Sequence, residues 1–92
     1  MIQSFRCKHT RSLFEGGNPR QFRAFKDAAI RKLTQLDAAP SVTSLRSPPG
    51  NQLEALKGDR KGQYSIRVNS QFRVCFTWTE NGPTNVEIVD YH

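Results

Sequence analysis

The chain has 92 residues, 36% of them hydrophobic, and a formal net charge of +6 from 14 Lys and Arg against 8 Asp and Glu. That length supports a single domain, residues 1–92, with a thin core in which six Phe, two Tyr and one Trp supply much of the buryable area. No apolar run approaches the roughly 20 residues of a membrane span, and MIQSFRCKHT lacks the apolar stretch of a signal peptide, so a cytoplasmic protein without a membrane partner is expected.

In chain order, IQSF at residues 2–5 fits a short first strand, and KHTRSLFEGG fits a short helix ended by Gly16-Gly17. Asn18 and Pro19 have the residue types of an N-cap and a first helical position. The helix they predict carries Phe22, Phe25, Ala29, Leu33 and Leu36 at three- and four-residue steps, with Ile30 beside them. Its other side is polar: Arg20, Arg23, Lys26, Asp27, Arg31 and Lys32. A long irregular connection follows, interrupted by Pro40, Pro48, Pro49 and Gly50, with one helical turn expected near residues 41–46.

Three strands are then predicted over 63–68, 71–78 and 84–90, the last two joined at Glu80-Asn81-Gly82-Pro83. The resulting order β-α-α-β-β-β predicts an α+β fold, with two N-terminal helices on one face of a small, mainly antiparallel sheet. Within SIRVNSQFRVCF, apolar residues alternate on both sides of the turn. Only a three-residue loop, Asn69-Ser70-Gln71, keeps both apolar sets on one face, by pairing Val68 with Phe72 and Ile66 with Val74. The same register sets Arg67 opposite Arg73 on the exposed face, a like-charge contact that costs about 0.2–1 kcal/mol.

Parity adds Glu87 and Tyr91 to that face and leaves Asp90 and His92 on the other. The LKGDRKG loop brings Lys57, Arg60 and Lys61 towards the sheet. Paired arginines on strands can grip a phosphate, tyrosine can stack on a base, and histidine titrates near neutral pH. A basic surface of this kind suits nucleic acid or an acidic protein. Cys7 and Cys75 form no CxxC motif and are expected as buried free thiols. His9 and His92 have no partners at metal-ligand spacing, so neither metal nor cofactor is expected. From the residues alone, the chain is a basic nucleic-acid-binding module with possible nuclease chemistry.

The span LRSPPGNQLEALKGDRKGQYSIRVNSQFRVCFTWTENGPTNVEIVDYH closely resembles the RelE superfamily of toxins, in its HigB branch. MIQSF and KLTQLDAA extend the resemblance to essentially the whole chain. The resemblance implies a RelE-like fold and a type II toxin–antitoxin system. The implied activity is that of a ribosome-dependent endoribonuclease cutting messenger RNA in the ribosomal A site. The implied partners are the ribosome, the message and a helix-turn-helix antitoxin, with operator DNA reached only through the antitoxin.

The family's functional positions fall on Lys57, Arg67, Arg73, Asp90, Tyr91 and His92. The resemblance implies a phosphate held by Arg73 and Arg67, with Lys57 nearby. It also implies proton transfer by His92 assisted by Asp90, and a nucleotide oriented by Tyr91. Glu54 stands where some relatives carry histidine, which leaves the acid–base assignment open. Phe72 replaces a common tryptophan. The rival reading is a non-catalytic ribosome- or RNA-binding module that inhibits translation by occlusion.

Overall fold

A computed structural model describes residues 1–91; His92 lies outside the described residues. Helix α1 (Lys8–Phe14) buries Thr10 and Leu13 and ends as its glycines require. Gly16 takes a positive φ of 100°, while Gly17 N–H donates to Ser12 O at 2.7 Å and Gly16 N–H to Leu13 O at 3.3 Å. These are the two closing bonds of a Schellman motif. The next helix begins later than Asn18-Pro19 suggested. Residues Arg20–Phe25 form a 3₁₀ helix, α2 runs from Lys26 to Ala38, and neither starts with a side-chain cap. Three-residue spacing brings Phe22 and Phe25 together in the tighter helix as well, with ring centroids 5.9 Å apart. Phe25 then stacks on Phe72 at 4.3 Å.

The sheet contains β1 (Glu54–Ala55), β2 (Gln63–Arg67), β3 (Phe72–Thr79) and β4 (Gly82–Asp90), antiparallel throughout and ordered β1-β2-β3-β4. The α+β class holds, with both helices on one sheet face. The expected first strand is instead one parallel bridge, Phe5 with Val86, supported by hydrogen bonds from Gln3, Arg6 and Val86 N–H groups. The long connection supplies the fourth strand, β1. It also contains the anticipated turn at Thr43–Arg46 and further 3₁₀ turns at Pro49–Asn51 and Gly58–Arg60.

The three-residue hairpin is present: Ile66 faces Val74, Arg67 faces Arg73, and Val68 N–H donates to Phe72 O at 3.0 Å. Asn69 fixes it by accepting from the Gln71 and Phe72 N–H groups at 2.9 and 2.8 Å. Between β3 and β4 the register shifts by one residue. Asn85, with φ 51°, is the extra residue in this bulge. The register near the turn pairs Trp78 with Pro83; continued without a shift, it would set Glu87 opposite Val74 on the core face. The bulge sets Glu87 opposite Cys75 and Ile88 opposite Val74. Leu13, Phe22, Ala29, Leu33 and Leu36 can then pack on Ile66, Val74, Phe76, Val86 and Ile88. Thr10, fully buried, ties α1 to β4 by accepting the Ile88 N–H at 3.1 Å.

Candidate active site

The second sheet face carries Ser65, Arg67, Arg73, Cys75, Glu87 and, just beyond β4, Tyr91. It is not bare, as the alternation alone suggested. Residues from the connection fold against it, and Arg73 is only 6% exposed. A buried guanidinium needs acceptors for its donors. Nε donates to Ser65 Oγ at 2.7 Å, and Nη2 to the carbonyls of Gln52 and, at 3.4 Å, Ser65. Nη1 lies 3.7 Å from Glu54 Oε1, and the Tyr91 ring centroid is 5.6 Å from Cζ.

This arrangement resolves the like-charge pairing. Arg73 is drawn towards β1 and compensated there by Glu54, whereas the half-buried Arg67 side chain makes no hydrogen bond or ion pair among the described residues. Glu54 and Tyr91 stay accessible, Tyr91 at 45% exposure. A carboxylate, two cations and an aromatic ring thus share one patch. The patch can hold an anion on Arg67 and the Nη1 edge of Arg73, with a proton acceptor beside it.

The other candidates are distributed around this cluster. Lys57 is exposed, two residues past β1, and makes no side-chain bond among the described residues. Arg60 bridges Gln63 Oε1 on β2 and Glu87 Oε2 on β4 at 3.0 and 3.3 Å, and Arg6 reaches the same carboxylate at 3.6 Å. The charge of Arg60 is therefore compensated, unlike that of Arg67 among the described residues. Asp90 pairs opposite Phe72 at the hairpin end, where its Oδ2 accepts from Gln71 Nε2 at 2.9 Å. Tyr91 N–H donates to Gln71 O at 2.7 Å, which fixes the chain where β4 ends.

Cys75 is fully buried on this face. Burial pushes its thiol pKa up; Arg60 and Arg73 pull it back, and Glu87 pushes it up further. It remains a protonated, inert thiol rather than a nucleophile. Ser65, Gln71 and the Gln52 carbonyl are site elements that the residue reading missed. Ser65 was within reach, because it shares parity with Arg67. The carbonyl was not, since it depends on the path of an irregular loop.

A sequence model of the HigB-like toxins, RelE-like toxins of type II toxin–antitoxin systems, matches residues 3–92. "Toxin HigB-1" of Vibrio cholerae serotype O1 is 47% identical over 62 residues, covering 67% of this chain and 65% of that protein. An uncharacterized protein of Haemophilus influenzae is 42% identical over 62 residues, covering 67% and 60%. These matches span less than two thirds of either relative. "Endoribonuclease HigB" of Proteus vulgaris is 32% identical over 93 residues and is matched over its whole length. The YoeB–YefM complex from Staphylococcus aureus contains a chain with the same fold, at a TM-score of 0.58 and 18% identity, covering 100% of this chain and 98% of that one. With its helices on one sheet face and the family match extending over nearly the whole sequence, the chain belongs to the HigB-like family of RelE-like toxins of type II toxin–antitoxin systems.

Proposed function

We propose that the protein is a ribosome-dependent endoribonuclease that cleaves messenger RNA in the ribosomal A site, without a metal ion, and thereby inhibits translation. The observation that carries this reading is the patch around Arg73. There a buried guanidinium whose Nη1 makes no hydrogen bond among the described residues, the Glu54 carboxylate 3.7 Å from that nitrogen, the Tyr91 ring and Arg67 share one sheet face. The name of the Proteus vulgaris relative, an endoribonuclease, agrees with it.

In this mechanism Arg67 and Arg73 Nη1 bind the scissile phosphate and stabilise charge developing on its non-bridging oxygens. The ribose 2′-oxygen forms a bond to phosphorus as the bond to the 5′-oxygen breaks, giving a 2′,3′-cyclic phosphate and a 5′-hydroxyl. Glu54 accepts the 2′-hydroxyl proton, and His92, assisted by Asp90, returns a proton to the leaving oxygen. Tyr91 orients the nucleotide by stacking. Lys57 contacts the backbone, and Arg60, already paired with Glu87, adds to the cationic potential. The ribosome supplies the alignment of the message.

The partners in this reading are the ribosome, the message and a helix-turn-helix antitoxin through which alone operator DNA is engaged. The site of action is the cytoplasm. Primer extension on translated and untranslated copies of one transcript tests the reading. Cuts are expected only in the translated copy, and they should persist in chelator. Chelator-sensitive cutting of free RNA, or translational arrest without any cut message, would refute it, the latter in favour of occlusion.

A further inference from the structure

An arginine carries five N–H donors in a fixed fork, and in this protein they are not used alike. Three of those on Arg73 point at Ser65 Oγ, the Ser65 carbonyl and the Gln52 carbonyl, which leaves the Nη1 edge as the one that faces Glu54. Which edge is left depends on where the Gln52 carbonyl lies. Gln52 follows the 3₁₀ turn Pro49–Asn51 in the left-handed region, at φ 45° and ψ 56°. The residue before it, Asn51, ends that turn.

Asn51 is fully buried. Its Oδ1 accepts from Lys32 Nζ on α2 at 2.6 Å. Its two Nδ2 hydrogens are shared among Leu45 O at 3.1 Å, Ser47 O at 3.3 Å and Gln35 Oε1 at 3.2 Å. One side chain therefore binds the loop to itself and to the helix. The position requires both an acceptor and donors: aspartate would present no N–H to the carbonyls, and leucine would leave every one of these groups unpaired.

We propose that Asn51 is a positioning residue for Arg73: by anchoring the 45–51 loop to α2 it places the Gln52 carbonyl on Nη2 and so selects the guanidinium edge that meets phosphate. The inference rests on the phosphate-site reading of Arg73 given above.

Two variants test it in the full chain. Asn51→Ala removes the anchor. Gln52→Pro keeps the Asn51 side chain but forces φ to about −65° and removes the N–H that donates to Pro49 O, which moves the carbonyl away from Arg73. Should Asn51→Ala fail to fold, Gln52→Pro, at an exposed side chain, carries the test. Single-turnover cleavage on programmed ribosomes is expected to slow on the order of 10²-fold, the effect of a small misplacement of a reacting group, with ribosome affinity unchanged. In an Arg73→Lys background the same substitutions should add nothing. A purely structural role would instead produce equal losses in both backgrounds. Nitrogen-15 NMR of the Arg73 side chain provides a readout independent of activity. Slowly exchanging Nη2 hydrogens in the wild type should become fast-exchanging in each folded variant, while Nε–H, held by Ser65 Oγ, stays as it was; unchanged Nη2 signals would overturn the proposal. Failure of the wild type to cleave would count against the proposed function alone, because the NMR comparison would still decide whether Asn51 holds Arg73.

Discussion

Arg67 and Arg73 face each other across one ladder, yet their substitution should have opposite physical consequences. Arg73→Ala strips donors from Ser65 and the Gln52 carbonyl, at a cost of about 1–3 kcal/mol. For a domain of this size each kcal/mol lowers the thermal midpoint by roughly 4–8 °C. Arg67→Ala removes a charge without a partner among the described residues, so stability should change by less than about 0.5 kcal/mol while cleavage slows. Thermal unfolding of both variants checks the contrast; equal midpoints would mean that Arg73 is not held as described. The strand, register and sheet face of Arg73 were legible because alternation fixed them. Its burial was not legible, because the covering atoms come from a loop without periodicity. Cys75 gives a pH test. Its folded pKa is raised, so native stability should hold up to the ordinary thiol range, near pH 9.0, and fall as pH rises beyond it. Cys75→Ala should lose less stability over that alkaline window in thermal scans.

At the scale of elements, the bulge at Asn85 decides which residues of β4 enter the core. Asn85→Gly should leave the midpoint equal or higher, since glycine adopts positive φ freely. Asn85→Val should cost about 1–2 kcal/mol, the usual penalty for a β-carbon in the left-handed region. Chemical denaturation of the pair measures this, and equal stability would argue against a strained bulge. The hairpin and the close of α1 were readable because each has a local chemical signature, Asn69 in the turn and Gly16-Gly17 at the cap. The start of α2 was not, because Phe22 and Phe25 at three-residue spacing suit a 3₁₀ helix as well as an α-helix. Strand β1 could not be read from two residues, since alternation needs a longer run. The bulge escaped for a similar reason: parity alone cannot say where an extra residue is inserted.

Across the whole molecule, the helices bury one sheet face and the connection covers much of the other. Among the described residues Arg67 is a cation without an ion-pair partner, facing the buried Arg73. A site of so few groups fits a reaction in which the ribosome aligns the message and the protein supplies charge and proton transfer. The most direct measurement is single-turnover cleavage of message on A-site-programmed ribosomes by the wild type and Glu54→Gln, with ribosome binding measured in parallel. Glutamine keeps the shape of the side chain and removes its basicity. The wild type should cut, and the variant should bind equally well but cut roughly 10²–10⁴-fold more slowly, the range for a lost general base. Equal cleavage by the two would contradict the role of Glu54, and inhibition of translation by a wild type that leaves the message intact would contradict the ribonuclease account itself.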